Sequence, residues 1–342
     1  MSEPGDAPAF PRLEGNPVGR LRYFFGRRLV FLTAALCIAS VIPLFGPWHW
    51  LPDLFSHFVP QYAVGGLVCA GGLFWARRRR WAMLALGLFL VHALRLLPYW
   101  TDDAGHVDLP PTAQVRVLQY NVNRAHPNPA AIIDWIKTQS GTLDIVALME
   151  VTPGWRAQLA RLAKDYPNAA QELRLDNFGI AVLTRLPGAR LKVQEIGGTG
   201  VPSVLVNGKS ISGTLFSLIV THPPPPLGGF LATARNRQLE TLAEEVKQLT
   251  ANYRILLGDL NITPWSVYFS RLLAETGLRD AQLGFGYSGT WPGSLIPRQL
   301  GIPIDHTLVS QGVRVLDRTI GEGRDSDHRP IISTLVFDPE HQ

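Results

Sequence analysis

At 342 residues the chain is long enough for about two domains, and its formal charge of +5 is unevenly spread. Residues 1–100 hold 10 Lys and Arg against 4 acids, a net +6, whereas residues 101–342 hold 22 against 23, a net −1. That balance excludes the gross basic footprint of a nucleic-acid binder from the C-terminal part, and because Cys37 and Cys69 both precede it, no disulfide is available there.

Residues 1–27, rich in Pro and Gly before Arg20, read as a disordered basic tail. An anchor is expected over residues 28–100, with apolar stretches at Leu29 to Trp48, Tyr62 to Ala76 and Trp81 to Leu97. The first and third meet the roughly 20 residues that a spanning helix needs. The second is shorter, but its Gly65-Gly66 and Gly71-Gly72 pairs suit close helix contact. A cleaved signal peptide fits poorly, because its apolar region is only about 7–15 residues. Arg20, Arg22, Arg27 and Arg28 precede the first stretch and Arg77 to Arg80 separate the second from the third, while the connection His49 to Gln61 has no Lys or Arg. Basic loops stay cytoplasmic, so three spans place everything after Trp100 outside the cytoplasm, in the periplasm of a Gram-negative source. His92 and Arg95 fall in or near the third stretch, and Arg95 is expected to snorkel toward Tyr99 and Trp100.

Residues 101–112, with Pro110-Pro111, read as a linker to a domain over 113–338. Val115 to Asn121 is a strand delivering amides at its tip, and Asn128-Pro129 caps a helix over Ala130 to Lys137. Asp144 to Met149 is a nearly continuous apolar strand, hence buried on both faces, that ends in Glu150. Pro153 to Asp165 reads as helix, and Phe178 to Thr184 and Leu191 to Ile196 as strands. Thr214 to Thr221 is a strand ending in His222 and four prolines, which fix an extended loop without donors. A helix from Leu231 to Thr250 is followed by the strand Arg254 to Asn261, whose Gly258 permits close backbone approach. Asp259 and Asn261 would share one face if extended geometry continued through Leu260, and would form an Asx-type turn if it did not. A helix over Trp265 to Thr276, a strand over Ile304 to Val309, a polar loop Asp325 to His328 and a strand over Ile331 to Phe337 complete the chain. The alternation is α/β, with neither of the glycine-rich nucleotide fingerprints.

Asn121, Glu150, His222, Asp259, Asn261, Asp305, Asp327 and His328 all follow or border apolar strands, and ligands in α/β folds bind where strand ends converge. Acids such as Glu150 and Asp327 suit a hard cation, Mg²⁺ or Mn²⁺, and the lack of cysteine excludes a thiolate zinc site. An imidazole oriented by a carboxylate, His328 by Asp305, suits acid–base work, while His222, Asn121 and Asn261 suit developing negative charge.

The ordered motifs YNVN, the strand ending in Glu150, THPPPP, GDLN, IDHTLVS and SDHRP resemble the endonuclease/exonuclease/phosphatase superfamily over roughly residues 113–338. The anchored arrangement resembles a membrane-attached bacterial subgroup, which implies a multi-pass inner-membrane protein with an outside catalytic domain. The resemblance implies a four-layered α/β sandwich of two packed mixed sheets flanked by helices, and metal-assisted hydrolysis of a phosphate ester by in-line water attack. It implies Glu150, Asp327 and Asn121 at the metal, Asn121, Asn261 and His222 at the phosphate, and a catalytic set of His222, Asp259, Asn261, Asp305 and His328, with the base role open between Asp259 and His328. Three departures stand out: Met149 replaces a common Gln, Thr184 a common Ser, and His306 a common aromatic. The implied partners are the bilayer and a phosphate-ester substrate: a lipid headgroup, a small phosphoester or nucleic acid. A nuclease acting on extracytoplasmic DNA or RNA and a non-catalytic tethered binding module are the alternatives. Oligomeric state is not readable.

Overall fold

The structure is a computed structural model that describes residues 17–101, 114–293 and 296–338. The segment 1–16 of the expected tail and the linker beyond Thr101 lie outside the described residues. The rest of the expected tail is helical: α1 (Pro17–Val41) begins well before Arg28. Pro17 is pre-organised for a first turn, and the basic residues that suggested a tail lie along the helix with aromatic partners. The Arg28 guanidinium sits 3.3 Å from the Phe24 ring centroid and Arg22 is 5.4 Å from that of Trp75.

After a 3₁₀ turn at Ile42–Phe45 come α2 (Trp50–Leu54), a second 3₁₀ turn at Phe55–Phe58, α3 (Val59–Trp75), α4 (Arg79–Leu96) and the short α5 (Pro98–Thr101). Two stretches, Pro17–Phe45 and Trp50–Trp75, are long and apolar enough to cross a membrane by length and composition. The third expected span, α4, forms as a helix but carries Arg79, Arg80 and Arg95 in its 18 residues and is not one of them. Gly66 provides the close helix contact, since a Cβ there would lie 2.9 Å from the Phe89 backbone nitrogen on α4. His92 is buried and hydrogen-bonded to Ser40 Oγ at 2.9 Å, which ties α4 to α1.

The remaining chain forms β1 (Gln114–Asn121), α6 (Pro129–Gln139), β2 (Ile145–Met149), α7 (Arg156–Ala160), β3 (Asn168–Glu172), β4 (Ile180–Thr184), β5 (Arg190–Glu195), β6 (Pro202–Lys209), β7 (Leu215–Val220), α8 (Gly229–Gln248), β8 (Tyr253–Asp259), α9 (Val267–Thr276), β9 (Arg279–Asp280), β10 (Asp305–Val309), β11 (Val313–Ile320) and β12 (Ile331–Phe337). One sheet runs β11-β12-β1-β2-β4-β3 and the other β5-β6-β7-β8-β10-β9. Each has a single parallel pair, β1 with β2 and β7 with β8, and each pair is bridged by a crossover helix, α6 or α8. The sheets therefore repeat one motif, and both crossovers point their parallel strands toward the same kind of edge.

Apolar side chains of the facing sheets, among them Val117, Ala147 and Val182 from one and Val206, Leu218 and Leu257 from the other, form the central core. A second core joins the first sheet to α6 and α7 and a third joins the other sheet to α8 and α9, giving the four layers expected of the sandwich. Asn128 caps α6 by accepting from the Ala131 N–H at 3.2 Å, as the Asn-Pro signal implied.

Gly258 sits at φ 148° in β8, where a Cβ would lie 1.8 Å from the carbonyl oxygen of Thr221, the residue just past β7. Gly258→Ala combines a backbone clash with a conformation that L residues rarely adopt, and is expected to destabilise the domain by roughly 3 kcal/mol. Denaturant melting of purified full-length protein checks this; a midpoint equal to wild type would contradict it.

Candidate active site

Two strand ends from one sheet and two from the other meet at one edge of the sandwich. β1 ends in Asn121 and β2 is followed by Glu150, while β8 ends in Asp259 directly opposite Asp305, the first residue of β10. The sheets are joined there by polar contacts. Asn121 Nδ2 donates to Glu150 Oε1 at 2.9 Å and to Asp259 Oδ2 at 3.0 Å, which uses both amide hydrogens across the gap. The Asp259 N–H lies 3.2 Å from Met149 Sδ, so the methionine standing where an amide is common still supplies an acceptor.

His328 completes the cluster. Its Nδ1 is 2.8 Å from Asp305 Oδ2 and its Nε2 3.5 Å from Asp259 Oδ2, and all three residues are buried. The loop is pinned by Ser326, whose Oγ donates to the Asn121 carbonyl at 2.8 Å and accepts from the His328 N–H at 3.1 Å. His222, from the end of β7, brings Nε2 to 3.4 Å from Asp259 Oδ2. Its Nδ1 is buried with no hydrogen-bond partner among the described residues.

Burial alone would strip the proton from His328, but the Asp305 and Asp259 carboxylates outweigh it and push its pKa up to about 10. Burial likewise opposes charge on His222, and the hydrogen bond and charge of Asp259 more than reverse this, so its pKa is also raised. Asp259 shows the converse: burial favours its neutral form, yet His328, His222 and Asn121 hold it well below the usual carboxylate range. The arrangement is a buried carboxylate between two imidazolium-prone rings. A histidine protonated near neutral pH would donate a proton and not accept one, which bears on the base role left open between Asp259 and His328.

Asn261 departs from the same-face geometry with Asp259. It takes φ 50°, its N–H donates to Asp259 Oδ1 at 3.0 Å, and its side-chain amide donates to the Pro223 carbonyl at 3.0 Å. The Asx turn and the site coincide, and the turn swings Asn261 toward the proline loop after His222. Glu150 and Asn123 are also left-handed, at φ 64° and 60°. Three such non-glycine residues in one cluster are an outlier typical of functional sites.

Asp327 lies at the exposed rim, where Oδ1 accepts from Asn123 Nδ2 at 2.7 Å and Oδ2 from Trp291 Nε1 at 3.2 Å. It is thus joined to Asn121 through Asn123, whose N–H donates to Asn121 Oδ1 at 3.0 Å. Asp259, Asp305 and His328 offer ligand atoms within 4.8 Å of one another, a group that could hold a metal ion with His328 neutral, and the expected ligands Glu150 and Asp327 are not members of it. Carboxylate and amide oxygens with imidazole and no thiolate fit a hard divalent cation. Two of the departures prove structural: His306 bonds the Ile262 carbonyl at 2.8 Å within the core, and Thr184 Oγ1 donates to the Asp144 carbonyl at 2.8 Å.

Sequence reasoning missed Arg235 as a site neighbour. Fully buried on α8, it donates from Nη1 to the Asn261 carbonyl at 3.1 Å and from Nη2 to Asp53 Oδ2 at 3.3 Å. Asp53 belongs to α2, in the connection between the apolar helices, and also accepts from Ser266 Oγ at 2.8 Å. A lone acid in a loop without basic residues was the available signal.

The sequence matches the Endonuclease/Exonuclease/phosphatase family over residues 118–328. No relative is found among curated proteins. The fold is similar to that of an endonuclease/exonuclease/phosphatase from Bacteroides vulgatus, at 17% identity and TM-score 0.52 over 66% of this chain and 99% of the other. It is similar as well to truncated Caenorhabditis elegans TDP2, at 18% identity and TM-score 0.51 over 65% of this chain and 97% of that one. D. rerio TDP2, solved with a single-strand DNA product, aligns at 17% identity and TM-score 0.51 over 65% of this chain and 99% of its own. With the match running from β1 to His328, and the sandwich and converging strand ends in agreement, the chain belongs to the endonuclease/exonuclease/phosphatase family.

Proposed function

We propose that the protein is a membrane-anchored, divalent-metal-dependent phosphoesterase whose catalytic domain lies outside the cytoplasm of a bacterial cell. The observation that carries the reading is the Asp305–His328–Asp259 chain closed by Asn121 and Glu150 at the meeting of both sheets. Water attacks phosphorus in line, the P–O ester bond opposite it breaks, and the alcohol leaves with a proton. Asp259 orients the water and accepts its proton. His328, kept as imidazolium by Asp305, donates to a phosphoryl oxygen as negative charge grows. His222 serves the leaving oxygen, and Asn121 and Asn261 hold the phosphate. A divalent cation held by Glu150 with Asn121 and Asp327 would polarise the phosphoryl group when bound.

The nuclease alternative draws on D. rerio TDP2, whose structure holds a single-strand DNA product. Against it stands the −1 balance of residues 101–342, with 22 basic against 23 acidic side chains. Anchoring is supported by the two apolar stretches Pro17–Phe45 and Trp50–Trp75. The outside location requires α4 as a third crossing, and it is supported by the hydrogen bonds that seat the domain on Asp53 and His57, in the connection without Lys or Arg, away from Arg77 to Arg80.

Asp259→Asn and His328→Ala are each expected to lower kcat on a generic phosphodiester by roughly 10²–10⁴-fold with an unchanged circular dichroism spectrum. Excess EDTA is expected to abolish wild-type turnover and Mg²⁺ or Mn²⁺ to restore it; full activity in EDTA would refute metal dependence. The alkaline limb of the pH–rate profile is expected near the raised His328 value of about 10, since protonated His328 is the working form. Asp305→Asn removes the nearest carboxylate and is expected to move that limb down toward the ordinary imidazole value of about 6.5. A limb that stays in place would remove His328 from this role. Protease added to spheroplasts is expected to digest the C-terminal domain, and protection would place it in the cytoplasm.

A further inference from the structure

The edge of the sandwich that carries the site is the edge seated on the helices. Thr263, two residues past Asn261, bonds His57 Nδ1 through Oγ1 at 2.7 Å, Ser266 bonds Asp53, and the Gly284 N–H donates to the Pro98 carbonyl at 3.3 Å after α4. Among the described residues after Thr101, the exposed large apolar side chains are Leu175, Ile211, Leu215, Leu227, Phe230 and Trp291. Ile211 and Leu215 lie at the β6–β7 turn, at the far end of β7 from His222.

The other four border the site. Trp291 bonds Asp327, and Leu175 is on the loop leading to Phe178, whose ring is 5.7 Å from that of His222. Leu227 and Phe230 follow His222 across the proline run and are 78% and 85% exposed. The prolines fix this loop as an extended strut, so its apolar tip is held out. The tip lies beside the connection between the two apolar stretches: a Cβ on Gly229 would lie 3.1 Å from Nε1 of Trp50, where the second stretch begins, and Trp48, just past the end of the first, is 78% exposed. Aromatic side chains at the end of an apolar span belong to the membrane interface. An apolar rim continuous with that level meets hydrocarbon, whereas a strand of nucleic acid would need basic side chains tracking several phosphates; of the two beside Leu175, Arg174 is ion-paired with Glu172 and Asp176 and Arg124 donates to the Leu175 carbonyl.

We propose that the active-site mouth opens at the outer face of the bilayer, with Leu227 and Phe230 dipping into it, and that the substrate is the phosphate-ester headgroup of an embedded lipid. This rests on the phosphoesterase reading above and names its substrate class. The full-length protein is reconstituted into vesicles of bacterial total polar lipid with Mg²⁺. With Cys37 and Cys69 replaced by serine, a nitrobenzoxadiazole label on Phe230→Cys is expected to be quenched by doxyl-chain lipid and the same label on Ile211→Cys is not. The double variant Leu227→Ser, Phe230→Ser is expected to lose about tenfold or more in release of phosphorylated product from vesicle lipid while cleaving soluble bis(p-nitrophenyl) phosphate within about twofold of wild type. No quenching at 230, equal loss on both substrates, or cleavage of oligonucleotide but not vesicle lipid would each overturn the proposal. Quenching at 230 without cleavage of any phosphoester would instead sink the phosphoesterase reading, and the lipid assignment with it, while leaving the seating intact.

Discussion

A single buried carboxylate organises this molecule. Asp259 ends the central strand of one sheet and receives Asn121 from the other sheet, His222 from the neighbouring parallel strand and His328 from the C-terminal loop. An unpaired carboxylate at that depth would be strongly disfavoured, so the groups that surround it must arrive together. The sheets could slide past each other through an apolar core that has no directional preference. Hydrogen bonds across the gap select one alignment, and that alignment is the site.

The same logic extends outward in two directions. Asn121 links Asp259 to Glu150, and Asn123 carries the network to Asp327 and Trp291 at the rim. On the opposite side, Asn261 passes through Arg235 to Asp53 in the connection between the apolar helices. The Arg235–Asp53 pair is buried on both sides, and such a pair contributes orientation more than stability, because desolvation cancels much of its attraction. Its consequence here is that the helical region is not a loose tether. The backbone of a site residue is hydrogen-bonded to a side chain that is itself paired with the helical connection.

Much of the sandwich is legible before folding is considered. Strands buried on both faces, such as Ile145–Met149 and Tyr253–Asp259, announce themselves as apolar runs, and each run stops where a polar residue begins. The strands that escape notice are those whose burial is one-sided or interrupted. Asn168–Glu172 has only alanines for apolar content and becomes a strand by pairing with Ile180–Thr184, while Pro202–Lys209 and Val313–Ile320 are interrupted by Pro, Gly or charged residues, of which Pro202, Gly208 and Arg318 are nonetheless buried. Tertiary pairing overrides weak local preference in all three.

Residue identity and order along the chain determined by themselves that eight polar groups would stand at strand ends and that residues 28–100 would be largely helical and apolar. Backbone periodicity is a local property, so it survives in the sequence. Only the tertiary structure decided that Asn261 turns away from Asp259 to the proline loop, that the Asp305 and Asp259 carboxylates raise the pKa of His328, and that Asp53 and Arg235 lie behind the site. Those outcomes depend on which charges end up within a few ångströms of each other after burial; in sequence Asp53 shows only as a lone acid in a loop without basic residues, with nothing to name Arg235 as its partner.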